Sequence, residues 1–85
     1  MKDVTIYTWS YCPFCQKAKG LLEREGIAFT EHVIDGDQAA FDALKQKTGM
    51  GSVPQIFAGD HFIGGCDDLH ALHGDKAAFN TLFGR

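Results

Sequence analysis

The 85-residue sequence predicts one α/β domain, in which a four-stranded mixed sheet is flanked by helices. Three observations predict this class. A β-branched and aromatic run is followed by a helical pattern and then by a second apolar run, which is the order of a βαβ unit. Two further apolar runs around a Gly-Asp pair indicate a β-hairpin. A hydrophobic fraction of 45% supports a compact core and argues against disorder.

The predicted βαβ unit begins with the run from Val4 to Thr8, whose residue types suit a buried strand. A helical pattern follows from Gln16 to Glu25, with apolar residues on one face and Gly26 at its end. The segment from Ala28 to Ile34 predicts the second strand. Because a helix separates the two strands, a right-handed crossover is expected to place them parallel.

The second half predicts a helix, a hairpin and a helical end. Asp37 is suited to cap a helix from Gln38 to Thr48, and Gly49 is suited to end it. The antiparallel hairpin strands are expected at Gln55 to Ala58 and His61 to Ile63. Two helical segments with acidic starts then finish the chain, from Asp67 to His73 and from Asp75 to Phe83. The predicted order is β-α-β-α-β-β-α, within a single domain over residues 1–85.

Composition excludes several classes of function. The net charge is −3 and the eight basic residues are scattered, so the sequence has no patch suited to nucleic acid. It contains no apolar run of membrane-spanning length. The N-terminal residues lack the apolar region of a secretory signal, and cysteines in such a chain suit a reducing compartment. We therefore expect a cytoplasmic monomer.

The motif Cys12-Pro13-Phe14-Cys15 lies between the first strand and the first helix. This position places the Cys12 sulfur at a helix N-terminus, where unpaired N–H groups favour a thiolate. Cys15 lies one turn deeper and is expected to stay protonated longer. An ionised sulfur can attack a disulfide and a second thiol can then resolve the product. The spacing therefore predicts Cys12 as nucleophile and Cys15 as resolving thiol.

A zinc half-site and a structural disulfide are the alternatives for this motif. Zinc normally requires a second pair of ligands, and neither Cys66 nor any of the four histidines has the spacing of such a pair. A disulfide within one helical turn closes too short a loop to stabilise the fold appreciably. Redox chemistry is therefore the favoured interpretation, and no metal site is expected.

Three separated segments share their pattern with one family: Cys12 to Cys15, Ser52 to Phe57, and Gly64 to Leu69. On these motifs the chain resembles a dithiol glutaredoxin of the bacterial type, along essentially its whole length. The resemblance implies a thioredoxin-like fold and a glutathione-dependent thiol–disulfide oxidoreductase. It also implies glutathione as co-substrate rather than a tightly bound cofactor.

The resemblance further implies which residues contact glutathione. Pro54 would follow a cis peptide bond, and Val53 would pair with the glutathione backbone as an added strand does. The N–H groups of Cys66 and Asp67 would hold the γ-glutamyl carboxylate, and an Asp carboxylate would meet its amine. The implied contact set is Phe14, Val53, Pro54, Gly65, Cys66, Asp67 and Asp68. The alternatives are a proline that only starts a strand and an aspartate that only caps a helix.

The chain departs from the family pattern at two positions. Trp9 stands where many members have a lysine that meets the glycyl carboxylate of glutathione, and Met50 stands where a basic residue is frequent. Lys17, Lys45 and Lys47 are the candidates to compensate.

Two residues beside the predicted site have open roles. Tyr11 either lines the glutathione groove or packs against the protein. Cys66 is expected to be a buried packing residue rather than a redox thiol, because it does not share the helix-start setting of Cys12.

The leading hypothesis is reduction of disulfides and glutathione mixed disulfides. The resemblance implies that electrons come from NADPH through glutathione reductase, and that a ribonucleotide reductase is one acceptor. The first alternative is an iron-sulfur cluster carrier, in which two protomers share a cluster through Cys12 and bound glutathione. The second is a glutaredoxin-like protein reduced by thioredoxin reductase.

Overall fold

A computed structural model describes residues 3–84 of the chain. Met1, Lys2 and Arg85, the ends of the predicted domain, lie outside the described residues. The elements follow the predicted order, with the helical end divided in two. They are β1 Val4–Thr8, α1 Pro13–Arg24, β2 Thr30–Val33, α2 Gln38–Thr48, β3 Gln55–Ala58, β4 His61–Gly64, α3 Cys66–Gly74 and α4 Lys76–Leu82.

The four strands form one mixed sheet in the order β2-β1-β3-β4. Strands β1 and β2 are parallel, so the predicted βαβ unit is confirmed. Strand β3 is antiparallel to both β1 and β4, so the predicted hairpin is confirmed as well. The central position of β1 places the loop after it, which carries Cys12, beside the segment that leads into β3.

The bounds of α1 and β2 differ from their predictions by more than one residue, and those of β4, α3 and α4 differ by one residue. Helix α1 begins at Pro13 rather than Gln16, because Cys12 acts as its N-cap and proline suits the first helical position. Strand β2 covers only Thr30–Val33, which are the residues that pair with β1. The N–H of Ile27 donates to the Leu22 carbonyl at 2.9 Å, so the chain just before β2 still belongs to the helix end.

Each face of the sheet packs against its own helices. One core contains residues of β1, β3, α1, α3 and α4, including Ile6, Leu22, Ile56, Leu69 and Phe79. The other contains Ile34, Leu44 and Phe57 together with both thiols of the motif. The thiols therefore lie at the edge of an apolar cluster. Within residues 3–84, none of the helices is both long enough and apolar enough to span a membrane.

Candidate active site

Cys12 lies at the N-cap of α1 and is the more accessible of the two motif thiols. Its backbone is extended (φ −148°, ψ 102°), and its Sγ accepts a hydrogen bond from the Cys15 N–H at 3.2 Å. Cys12 is 8% exposed, whereas Cys15 is fully buried. The amide hydrogen bond and the helix start both favour negative charge on the Cys12 sulfur. A disulfide that approaches from solvent can reach this sulfur but not that of Cys15.

Cys15 has the opposite environment. Burial, with a smaller contribution from the adjacent Cys12 side chain, raises the pKa of the Cys15 thiol to about 12. This thiol therefore stays protonated at neutral pH in the reduced protein. The two sulfurs are suited to different steps, since the Cys12 sulfur is available for attack and the buried Cys15 thiol remains protonated.

A groove of about 260 Å³ lies beside Cys12. The groove brings together every residue that the resemblance implied for glutathione contact, although these residues come from three distant segments. Its lining consists of Phe14, Met50, Ser52, Val53, Pro54, Gly65, Cys66, Asp67 and Asp68. We call it the glutathione groove below, after the ligand that the resemblance implies.

Val53 connects this groove to the reactive sulfur. Its carbonyl oxygen lies 3.9 Å from Cys12 Sγ. The peptide bond between Val53 and Pro54 is cis. The backbone of Val53 is therefore adjacent to any group that becomes bonded to Cys12.

Gln55 holds the segment before Val53 in place, and the sequence analysis did not identify it as a site residue. Its fully buried amide nitrogen donates to the carbonyls of Met50 (2.7 Å) and Ser52 (2.9 Å). Its amide oxygen accepts from the Thr48 hydroxyl at 2.8 Å. The indication of this role in the sequence is that Gln55 is a lone polar residue at the start of an otherwise apolar strand.

The far end of the groove is the start of α3. Asp68 Oδ2 accepts from the Gly65 N–H at 3.0 Å, so Asp68 acts as a helix cap, one of the alternatives considered for it. Gly64 has φ +126°, and a Cβ there would lie 2.6 Å from Asp68 Cγ. A Cβ on Gly65 would lie 2.9 Å from Met50 Cε. Gly64 therefore permits a close approach that a side chain would block, whereas at Gly65 the flexible tip of Met50 could move aside.

The first turn of α3 leaves backbone donors at the groove. The first hydrogen bond of this turn runs from the Leu69 N–H to the Gly65 carbonyl at 3.0 Å. The N–H groups of Cys66 and Asp67 precede it and have no acceptor within the helix. Because such donors lie at the positive end of the helix dipole, this end of the groove suits a carboxylate.

Cys66 is the first residue of α3 and follows its N-cap Gly65, whereas Cys12 is itself the N-cap of α1. Cys66 is buried, and burial together with the charge of Asp67 raises the pKa of its thiol. His70 Nδ1 lies 2.8 Å from the Cys66 carbonyl and 3.4 Å from its sulfur. Because a carbonyl only accepts, Nδ1 carries a proton and cannot act as a base toward the thiol.

The two departures from the family pattern have different surroundings. Met50 lines the glutathione groove, but Trp9 does not and packs instead against Phe41, with ring centroids 5.6 Å apart. Lys45 runs along Gly51, next to groove residue Ser52, with its Nζ 3.9 Å from the Cβ position of Gly51.

The other two candidate lysines contact aromatic rings. Lys17 Nζ lies 5.7 Å from the ring centre of Phe14, at the groove, and Lys47 Nζ lies 5.0 Å from that of Phe57. Tyr11 is 96% exposed and neither packs nor lines this groove. Across residues 3–84, no three His, Cys, Asp or Glu side chains are grouped so that they could hold a metal ion.

Comparisons with known proteins agree with this arrangement. The family model for glutaredoxin matches residues 4–63. A probable glutaredoxin of Synechocystis is 53% identical over 72 residues, which cover 84% of this chain and 82% of the relative. Glutaredoxin 3 of Escherichia coli is 47% identical over 72 residues, with coverage of 85% and 87%. The crystal structure of a buckwheat glutaredoxin–glutathione complex matches with a TM-score of 0.89 at 28% identity, covering 96% of this chain and 76% of that one.

The family match extends over more than half of the chain, and these relatives are matched over most of their own length. The four-stranded mixed sheet and the order of its elements are those of the thioredoxin-like fold that the resemblance implied. The chain belongs to the glutaredoxin family and is a thiol–disulfide oxidoreductase.

Proposed function

We propose that this protein reduces glutathione mixed disulfides and protein disulfides at the expense of glutathione. The observation that carries the proposal is the glutathione groove, whose lining unites the three motif segments directly beside Cys12. The buckwheat relative, which is similar over 96% of this chain, was solved as a complex with glutathione.

The first step is an exchange at Cys12. Its thiolate attacks the glutathione sulfur of a mixed disulfide, a new S–S bond forms, and the protein thiolate leaves and takes up a proton. A second glutathione thiolate then attacks the glutathione sulfur bonded to Cys12. This step releases oxidised glutathione and restores the Cys12 thiolate.

Cys15 serves the dithiol branch of the reaction. When a protein disulfide is attacked, Cys12 becomes bonded to the substrate and loses its negative charge. The contribution of that charge to the raised pKa of Cys15 then disappears, so the Cys15 thiol ionises more readily than in the reduced protein. Its thiolate attacks the Cys12 sulfur, releases the second substrate thiol and leaves a Cys12–Cys15 disulfide, which two glutathione molecules reduce.

The groove supports a specific orientation of glutathione. Backbone pairing with Val53 places the cysteinyl sulfur at Cys12, with Phe14 and Pro54 as apolar walls. At the other end, the γ-glutamyl carboxylate meets the N–H groups of Cys66 and Asp67. An aspartate carboxylate, Asp67 or Asp68, meets the amine, and Asp68 keeps acceptor capacity for it besides its bond from Gly65. Lys45, whose side chain runs along Gly51, and Lys17, which lies over Phe14, are the candidates to meet the glycyl carboxylate.

The proposal includes the source of the electrons and one of their acceptors. Oxidised glutathione would be recycled by glutathione reductase with NADPH, and a ribonucleotide reductase would be one protein acceptor. These reactions suit a cytoplasmic monomer.

A coupled assay tests the proposal. Native protein, Cys12→Ser and Cys15→Ser would be supplied with glutathione, glutathione reductase, NADPH and a glutathione mixed disulfide. We expect the Cys12 variant to be inactive, while the Cys15 variant removes glutathione but fails to reduce a protein disulfide. Full activity of Cys12→Ser would refute the scheme. Inactivity of the native protein would favour cluster carriage or reduction by thioredoxin reductase.

A further inference from the structure

A second groove, of about 370 Å³, lies outside the glutathione groove and has no part in the reaction proposed above. It forms where the loops after the parallel strands β1 and β2 meet, and the carboxyl ends of parallel strands are a common location for ligand sites. We call it the Trp9 groove. Its lining consists of Trp9, Ile34, Asp35, Gly36, Asp37, Gln38 and Phe41.

The floor of the Trp9 groove is apolar and aromatic. Trp9 packs against Phe41 at an interplanar angle of 48°, yet it remains 37% exposed. Ile34 is buried beneath them. An indole ring fixed on one side and open on the other is a suitable surface for a cation, because its face carries negative electrostatic potential.

The rim of the Trp9 groove is acidic. Asp35 Oδ2 accepts from the Ser10 hydroxyl at 2.6 Å, and Asp37 Oδ1 accepts from the Ala40 N–H at 3.0 Å. A carboxylate offers about four acceptor positions, so each retains capacity for an incoming donor. None of the described residues that line this groove is basic. Negative charge above an aromatic floor is complementary to lysine or arginine.

The Trp9 groove is close to the reactive thiol. Trp9 precedes Cys12 by three residues, so their Cα atoms are at most about 11 Å apart. Ser10, which is bonded to Asp35, also lines a shallow surface together with Tyr11 and Cys12. A protein segment bonded to Cys12 therefore has a continuous path across Ser10 to the groove. Glutathione has a separate groove on the side of Val53.

We propose that the Trp9 groove binds a lysine or arginine side chain of the protein substrate, within about three residues of the cysteine that reacts with Cys12. This inference rests on the proposed function and adds selectivity to it. Proteins with a basic residue near the reactive cysteine are reduced faster than equivalent proteins with a neutral residue there.

Two matched peptides test the selectivity. Each contains one disulfide of its own, whose attack bonds the peptide to Cys12. The two peptides differ only in arginine or glutamine two residues from a cysteine of that disulfide. We expect kcat/KM of the native protein to favour the arginine peptide by about three- to tenfold, the range of a surface ion pair combined with a cation–π contact. Equal turnover of the two peptides would overturn the inference.

Charge-removing variants locate the effect. The double variant Asp35→Asn/Asp37→Asn keeps the acceptor for Ser10 and a helix cap, since asparagine caps as well as aspartate. The double variant should lower the ratio of kcat/KM for the arginine peptide to that for the glutamine peptide to about one, without changing turnover of the glutamine peptide. Trp9→Leu should lower this ratio as well. Asp60→Asn is the matched control, because its hairpin lies at the opposite end of β1, where the Gly59 N–H bonds to Asp3. A preference that survives the double variant would also contradict the inference.

A binding measurement separates this inference from the proposed function. Serine versions of the two peptides cannot react, and Trp9 is the single tryptophan of the chain, so its fluorescence reports binding at the groove. The arginine peptide should change the emission at lower concentration than the glutamine peptide, and added salt should reduce the difference. If this preference is present while no glutathione mixed disulfide is reduced, only the proposed function fails. If reduction is normal but neither assay distinguishes the peptides, only the Trp9 groove inference fails.

Discussion

Cys12 and Cys15 are separated by only two residues, yet their surroundings make them chemically different. Cys12 accepts an amide hydrogen bond at the start of α1 and reaches solvent. Cys15 is enclosed, and its burial raises the pKa to about 12. The local pattern was sufficient to predict this division, because the spacing alone places one sulfur at the helix start and the other a turn deeper.

Gln55 shows what the local pattern does not contain. Its three hydrogen bonds connect the start of β3 to the end of α2 and to the segment before Val53. These partners are close in sequence, but the bonds form only when Gln55 is buried beneath them. A glutamine is usually found at the surface, so the one indication of this role was its isolated position at the start of an apolar strand.

We expect Gln55→Ala to destabilise the protein by about 1–3 kcal/mol, because the three hydrogen bonds of the buried Gln55 amide are lost. It should also raise KM for glutathione, since the segment that positions Val53 loses its support. Urea unfolding and the coupled assay measure the two effects. Gln46→Ala is the matched control, since Gln46 is exposed on α2 and should tolerate the change. A Gln55 variant with native stability and native KM would show that these hydrogen bonds do not hold the groove.

At the scale of elements, the start of α3 depends both on the backbone conformation of Gly64 and on the side chain of Asp68. Gly64 adopts a φ of +126°, and the Asp68 carboxylate occupies the space where its Cβ would be. That carboxylate caps the helix whose first N–H groups face the glutathione groove. The geometry of the predicted carboxylate site therefore depends on a glycine outside the implied contact set.

We predict that Gly64→Ala destabilises the protein by about 1–3 kcal/mol through strain at this φ and displacement of Asp68. KM for glutathione should rise as well, because the start of α3 shifts. Gly74→Ala is the control at the other end of the same helix, where a Cβ meets nothing within 4 Å. It should be neutral or stabilising by up to about 1 kcal/mol. Equal stability of the two variants in urea unfolding would contradict the argument.

Element type was predictable wherever the periodicity extended over a whole element, whereas the boundaries depended on contacts. The strand pattern from Ala28 to Ile34 continues beyond Thr30–Val33, but β2 ends where its pairing with β1 ends. The helical pattern starts at Gln16, whereas α1 begins at Pro13 with Cys12 as its N-cap. The groove could be anticipated only through the family resemblance, because its segments are distant along the chain.

At the scale of the whole molecule, β1 unites the two cores and carries the reactive loop. Its side chains alternate between them, with Ile6 in one cluster and Tyr7 packed against the other. Beyond this apolar packing, one polar network connects three elements. Glu31 Oε2 on β2 accepts from the Thr8 hydroxyl of β1 at 2.7 Å and from Lys19 Nζ of α1 at 2.9 Å.

This network makes the stability of the fold depend on pH in a defined direction. The hydrogen bonds from Thr8 and Lys19 hold the pKa of Glu31 below its ordinary value. Because the folded-state pKa is the lower one, the folded protein releases this proton more readily than the unfolded chain. The stabilisation is therefore complete above the unfolded pKa, near ~4.3, and is lost as the pH falls through the folded value.

Replacing Glu31 by glutamine should consequently cost more stability at pH 7 than at pH 3. The free energy of unfolding, measured in urea at both pH values for native and variant protein, gives this difference directly. Glu23→Gln removes a carboxylate from an exposed position on α1 and should change stability little at either pH. The ion pair alone would weaken with salt, whereas the Thr8 hydrogen bond should persist because it does not depend on a second charge. A Glu31→Gln deficit that is the same at pH 3 and pH 7 would mean that packing of the side chain, not its charge, connects α1 to the sheet.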